Sequence, residues 1–346
     1  MRSSLFLLLV LLPAPGFAQL SVSPENPDYL AYQDRPLVLF AAVPNYCWHV
    51  EDYPLESIEQ NKVLWGANHI WVMLELHTRR PWSFTKNPGE VYYRRLRHIA
   101  RLAHRHDVVV GIILFGYNVF KYPHVSSFNR QGADECAGDP GPLDHGIGFF
   151  DLSSDNPAVV EAREVQKRIM AEVVAATWEF PNVYYCPGWE LDLRRGPEKR
   201  GWFKWVRQFM EAEGQKIAPS VHHLFAIEMT MTREEAADLG YDFVVEEDGN
   251  ASKTAGVPFV YLSMDAPYRG VQTARHPRQN LAFMRQELLR GAAGLATVWE
   301  ADAEESAYLA TLVRFCKSVE SWTNEPGHEI TQSTVPLPPA VRPQEP

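Results

Sequence analysis

The sequence has no excess of basic residues, no long apolar run and few cysteines. Its 33 lysines and arginines stand against 43 aspartates and glutamates, a formal charge of −10 that argues against a partner recognised by its phosphate backbone, such as a nucleic acid. No segment approaches the ~20 apolar residues that a membrane-spanning helix requires. With 46% hydrophobic and 22% charged residues, the 346-residue chain is instead expected to build a full globular core.

The cysteines and histidines do not have the spacing of a metal site, and we predict neither a metal nor another cofactor. Cys47 and Cys136 fall in predicted loops, so they are the better candidates for a disulfide bridge. Cys186 lies in an apolar strand pattern and Cys316 in a helical one, where buried thiols are common. The sequence also lacks Gly-x-Ser-x-Gly and Gly-Lys-Ser/Thr motifs, the signatures of common hydrolase and nucleotide-binding sites.

The two ends of the chain differ from its middle. Arg2, the apolar run from Leu5 to Leu12 and a small residue at Ala18 resemble a signal peptide over residues 1–18. A buried N-terminal helix is the alternative, but no amphipathic pattern organises it. Cleavage near Ala18 predicts a secreted or periplasmic protein. Residues 19–323 form the predicted domain, and the proline-rich tail over 324–346 is predicted to be disordered.

Within the predicted domain, eight apolar runs of strand length alternate with helical patterns, which predicts a (β/α)8 TIM barrel. A doubly wound sheet is the rival, but it requires a glycine-rich turn after an early strand, and the first strand leads into Pro44–Trp48. Ahead of the barrel, Gln33–Arg35 separates two apolar segments and predicts a hairpin that covers one end. The predicted strands are 37–43, 69–75, 108–115, 183–188, 223–228, 242–246, 258–263 and 294–299.

Carboxylates dominate the carboxyl ends of these strands, where TIM barrels carry their chemistry. Glu190 follows the apolar run that begins at Val183, so it stands where a buried strand opens. Carboxylates held together in a partly desolvated mouth have their pKa values pushed apart, as acid and base roles require. The carboxylates at or near strand ends are Glu75, Glu190, Asp192, Glu228, Glu246, Glu247, Asp248, Asp265, Glu300 and Asp302.

The stretch Asn182–Glu190 resembles the fourth-strand motif of clan-A glycoside hydrolases, and Asn26–Leu30 with Arg35–Leu39 resembles the opening of secreted cellulase-like bacterial barrels. The resemblance covers about Asn26 to Trp322. It implies a TIM barrel that hydrolyses a glycan with two carboxylates, of which Glu190 is the acid/base. A position buried beside Trp189 would raise the pKa of Glu190, which suits a general acid.

Three positions depart from the family pattern. Trp189 precedes the acid/base where the family has Asn, Trp71 replaces a supporting Arg, and Ser263 stands where the nucleophile Glu belongs. Asp265, two residues further on, is the first candidate for the second carboxylate because it would share the face of Ser263. Glu247 is the second candidate, since only one of Glu246 and Glu247 can face the centre.

Aromatic and polar side chains near the strand ends are predicted to bind the sugar, because flat rings stack on its apolar faces. The leading hypothesis is therefore a glycoside hydrolase, and the alternative is an inactive glycan-binding pseudoenzyme on the same barrel. The predicted substrate-binding residues are Trp48, Glu75, His77, Tyr117, Trp189, Tyr268, Trp299 and Glu300.

Overall fold

The computed structural model describes residues 19–41, 48–50, 53–74, 89–116, 150–189, 197–228, 233–246, 257–263 and 291–297, together with Thr311. Three short strands form an antiparallel sheet ahead of the main one: β1 (Ser21–Val22), β2 (Leu30–Tyr32) and β3 (Arg35–Leu37). The main sheet contains β4 (Leu39–Ala41), β5 (Trp48–His49), β6 (His69–Met73), β7 (Val109–Gly116), β8 (Val183–Trp189), β9 (Leu224–Glu228), β10 (Phe243–Glu246), β11 (Phe259–Ser263) and β12 (Gly294–Thr297).

Helices follow the strands, as the alternating pattern predicts. They are α1 (Glu56–Trp65), α2 (Glu90–Arg105), α3 (Pro157–Thr177), α4 (Pro197–Ile217) and α5 (Arg233–Asp238). Pro157 begins α3, a position where its missing N–H is no loss. Gly66 closes α1 in a left-handed conformation; its N–H donates to the Lys62 carbonyl, and the Ala67 N–H donates to the Asn61 carbonyl. None of the described helices is both long and apolar enough to cross a membrane.

The main sheet closes into a barrel. Its strand order is β4-β12-β11-β10-β9-β8-β7-β6-β5, and the pairs are parallel. From β6 to β12 each strand therefore lies beside the next one in the chain, whereas a doubly wound sheet would reverse direction part-way. β4 pairs with β12, and its Phe40 carbonyl accepts from the N–H of Asn68 directly before β6, so the first barrel strand contacts both the last and the second.

The amide of Asn68 holds the first strand against the start of β6. Its Oδ1 accepts from the Phe40 N–H at 2.6 Å, and its Nδ2 donates to the Val38 carbonyl at 2.9 Å. The Asn68 backbone N–H donates to the Phe40 carbonyl at 3.0 Å. One buried side chain thus supplies hydrogen bonds that a neighbouring strand would otherwise provide.

Strand alternation divides the core into two layers. One set of side chains points into the barrel, including Trp71, Met73, Tyr184, Cys186 and Val245. The intervening side chains, including Val72 and Tyr185, pack outward in one cluster with the helices. This period of two lets the face of a strand residue be read from its neighbours.

The predicted hairpin is confirmed, and it covers the amino-terminal end of the barrel. Gln33 and Asp34 both have φ near 56°, as a two-residue turn of the favoured hairpin type requires. Leu20, Leu30 and Tyr32 join the interior cluster, so this end of the barrel is filled. The structure confirms the predicted α/β barrel; the helices predicted over 277–290 and 304–322, like segments 1–18 and 324–346, fall outside the described residues apart from Thr311.

Candidate active site at the carboxyl ends of the strands

Because the barrel strands are parallel, their carboxyl ends meet at the end of the barrel opposite the hairpin. We call the positions at and just beyond these ends the mouth. We call the interior residues His69, Trp71, Gly111 and Tyr184, which lie nearer the starts of their strands, the floor. The fold therefore leaves the mouth as the end of the barrel where a substrate could enter.

The floor is a packed aromatic layer tied together by one hydroxyl. Tyr184 Oη accepts a hydrogen bond from Trp71 Nε1 and lies 2.8 Å from His69 Nε2. Gly111 faces this pair, and a Cβ there would overlap the Tyr184 and Trp71 rings. His69 is fully buried, and burial lowers its pKa to about 3, so the ring is neutral near pH 7. Its Nδ1 has no hydrogen-bond partner among the described residues.

Between floor and mouth the described interior is apolar. This level is occupied by Met73, Ile113, Cys186, Ala226 and Phe243. The Cys186 thiol donates to the Gly188 carbonyl at 3.1 Å. No lysine or arginine is buried among the described residues. An acid placed directly above this layer would therefore meet a low-dielectric surface without a cation beneath it, a setting that raises a carboxyl pKa.

Alternation fixes the face of each position at the end of β8. Tyr184 and Cys186 belong to the interior cluster, whereas Val183 and Tyr185 belong to the outer one. Gly188 therefore continues the interior face, and Trp189 ends the strand. Glu190, the residue that follows, lies outside the described residues.

The ends of β10 and β11 are described by register. Phe243 and Val245 are interior, and Glu246, which ends β10, is in register with Tyr261. On β11 Val260 is interior and in register with Val245, and the strand ends at Ser263.

The end of β9 carries a carboxylate that the sequence analysis does not select as a site residue. Glu228 ends this strand, in register with Val245 on β10.

Most of the predicted site residues lie outside the described residues, so their roles stay predictions. Trp48 and Trp189 are described only in their backbone, and Trp48 is in register with Val72, an outer-layer residue. The described residues contain no cluster of His, Cys, Asp or Glu arranged to hold a metal ion. Outside the described residues are the predicted positions Glu75, His77, Tyr117, Glu190, Glu247, Asp265, Tyr268, Trp299 and Glu300, together with Cys47, Cys136 and Cys316.

No protein-family model and no curated protein sequence matches the chain. Solved structures match its fold. A glycoside hydrolase family 5 mannosidase from Rhizomucor miehei has a TM-score of 0.59 at 11% identity, with 89% of this chain and 100% of that chain covered. For a putative glycoside hydrolase from Bacteroides vulgatus the TM-score is 0.54 at 14% identity, with 88% and 61% covered. A β-1,4-D-mannanase from Cryptopygus antarcticus has a TM-score of 0.51 at 12% identity, with 86% and 94% covered. The chain therefore has a clan-A glycoside hydrolase-like fold.

Proposed function

We propose that this protein is a glycoside hydrolase in which Glu190 protonates the glycosidic oxygen. The observation that carries the proposal is the course of β8: Tyr184 and Cys186 face the barrel interior, and the strand ends at Trp189, directly before Glu190. A carboxyl group above an apolar interior holds its proton to higher pH than an exposed one, as a general acid needs. The clan-A-like fold supports a carboxylate mechanism at this end of the barrel.

For the second carboxylate, Asp265 is the first candidate and Glu247 is the second. Glu247 directly follows β10, which ends at Glu246, and Asp265 is two residues beyond the end of β11 at Ser263. The two strands are parallel neighbours, so both candidates follow adjacent strand ends. Carboxylate variants distinguish them.

The distance between the two carboxyl groups sets the stereochemistry. Carboxyl groups ~5 Å apart give retention of configuration, and groups ~6.5–9.5 Å apart give inversion. The anomer released first, followed by NMR, reports this distance for any substrate that is cleaved.

The substrate is proposed to be a poly- or oligosaccharide, held by the aromatic residues predicted at the strand ends. Two of the structural neighbours are named mannosidase and mannanase, and one crystal structure of the former contains mannosyl-fructose. β-1,4-Mannan and short mannosyl oligosaccharides are therefore the first substrates to test, ahead of cellulose, xylan and other glycans.

The test is the release of reducing sugar by matched carboxylate variants. We expect Glu190→Gln, and one of Asp265→Asn and Glu247→Gln, to lower kcat by about 10²–10⁴-fold, because each change removes a proton-transfer group or nucleophile. Glu246→Gln, at the end of β10, is the control and should retain activity. Full activity in Glu190→Gln would overturn the proposal, and loss of activity in Glu247→Gln but not in Asp265→Asn would give the second role to Glu247.

A glycan-binding pseudoenzyme is the second candidate, and one observation favours it. The family that the sequence resembles has Arg at the position of Trp71, and here Trp71 is buried and bonded to Tyr184. This candidate predicts glycan binding without product release, with equal affinity in the wild type and Glu190→Gln. Release of sugar that disappears in Glu190→Gln would exclude it.

Export remains part of the proposal. The apolar run Leu5–Leu12 and the small residue Ala18 motivate it. Amino-terminal sequencing of the mature protein from culture medium or periplasm should begin at Gln19, and a mature chain that retains Met1 would contradict it.

A further inference from the structure

Arg95 on α2 holds the backbone of the segment that follows β5. Its Nε donates to the Val50 carbonyl and its Nη2 donates to the Tyr53 carbonyl, both at 2.7 Å. The two nitrogens lie on one edge of the planar guanidinium, so a single rigid group binds both carbonyls at once. One side chain therefore sets the positions of Val50 and Tyr53 relative to α2.

The two residues that Arg95 holds lie beside the mouth. Val50 directly follows β5, which is in register with Val72 and Met73 at the carboxyl end of β6. The side chains of Val50 and Tyr53 are fully buried and pack in the outer cluster with side chains of α2. Burial thus fixes these side chains against the helix, and Arg95 fixes the backbone beside them.

β5 has few hydrogen bonds of its own to hold it. It is two residues long, and among the described residues it pairs with β6 alone. β4, the earlier part of the first barrel strand, pairs with β12 instead. A short strand with one neighbour opens locally at a lower cost in free energy than an inner strand does. The two bonds from Arg95, directly after β5, oppose that opening.

We propose that Arg95 is a positioning residue that holds the mouth end of the first barrel strand, and that substrate affinity depends on it. The inference rests on the proposed function, which places the substrate at the mouth. Arg95 acts through the backbone that it binds, and without it this segment would occupy its observed position for only part of the time. An affinity that requires one position falls in proportion to the population of that position.

The first experiment needs no substrate and compares three variants by hydrogen exchange. Arg95→Met keeps the apolar stem and removes both donors, and Arg95→Lys keeps the charge without the planar edge. Arg94→Met is the matched control, because Arg94 is the preceding residue on α2 and lies 3.8 Å from Glu90 in an exposed ion pair.

We expect amides between Trp48 and Ile58 to exchange about tenfold faster in Arg95→Met than in the wild type. The increase should be smaller in Arg95→Lys and absent in Arg94→Met. Exchange in α3 should be unchanged in all three variants, because only a general loss of stability would raise it there as well.

The second experiment uses whichever glycan the wild type cleaves. We expect KM to rise about three- to tenfold in Arg95→Met, with kcat changed less than about twofold, because binding is weakened while the proposed carboxylates are untouched. Arg94→Met should match the wild type in both constants. If Arg95→Met does not fold, Arg95→Lys carries both measurements.

Two results would overturn the inference: equal exchange between Trp48 and Ile58 in Arg95→Met and the wild type, or an unchanged KM in an active Arg95→Met protein. Full activity in Glu190→Gln would overturn the proposed function alone.

Discussion

The floor and the mouth are built by the same strands, yet their side chains meet opposite requirements. On β8, Tyr184 belongs to a closed layer in which ring packing and hydrogen bonds fix the geometry. Six residues later in the sequence comes Glu190, where the proposed chemistry needs a carboxyl group open to substrate. In this barrel, residues near the starts of the strands stabilise the fold, and residues beyond the strand ends are proposed to carry the catalysis. Substitutions in the floor should change the free energy of unfolding and leave turnover per folded molecule intact.

The largest effect is expected from an extra methyl group in the floor. Gly111→Ala places a Cβ against the Tyr184 and Trp71 rings, closer than real contacts allow. Overpacking of this kind lowers the free energy of unfolding by about 3 kcal/mol or more, measurable in urea. Gly201→Ala on α4 is the control, because nothing lies within 4 Å of its added Cβ. A neutral Gly111→Ala would show that the floor is looser than described.

A smaller effect is expected when the central hydroxyl is removed. Tyr184→Phe deprives Trp71 Nε1 of its acceptor and His69 Nε2 of its partner, and buried polar groups that lose a partner cost about 1–3 kcal/mol. We expect a loss of about 2 kcal/mol. Tyr185→Phe on the outer face breaks the 2.9 Å contact with Thr177 Oγ1 and should cost less. Equal losses would show that the floor has no special role.

Low pH should lower the free energy of unfolding, because His69 is buried in the floor. Its pKa is lowered from 6.5 to about 3 by burial, so the unfolded chain takes up the proton first. Its contribution to stability is complete above about pH 6.5 and falls by about 1.4 kcal/mol per pH unit as the pH drops toward 3. His69→Gln should reduce this dependence of the free energy of unfolding on pH. His223 is also buried with a lowered pKa, but its ring nitrogens contact the Val183 and Trp178 carbonyls, which oppose the shift.

The smallest effect is expected in the hairpin beneath the floor. Asp34 has φ near 56°, a left-handed conformation that glycine adopts without strain. Asp34→Gly should raise or preserve the midpoint of thermal unfolding, with a change below about 1 kcal/mol. Sugar release should be unchanged, because the hairpin is at the opposite end from the mouth. A change in turnover would contradict the separation of the two regions.

Sequence patterns predict the barrel well because strand length, helix spacing and turn chemistry are local properties. The predicted strand 183–188 is observed as Val183–Trp189, and the turn at Gln33 and Asp34 is observed with positive φ. The faces of strand-end residues are harder to predict, because an error of one residue in register exchanges the inward and outward positions. Asp265, two residues beyond the end of β11 at Ser263, lies outside the described residues, so its face stays a prediction.

Asn68 has a consequence for the order of folding. The paired residues Leu39 and Gly294 are 255 positions apart, whereas the Asn68 amide reaches Phe40 across 28. Closing the longer loop costs about 2 kcal/mol more free energy than closing the shorter one, because the entropy lost grows with loop length. We therefore expect the first strand to dock on β6 through this amide before β12 arrives. The last strand, β12, then pairs with β11 and β4, which are already in place.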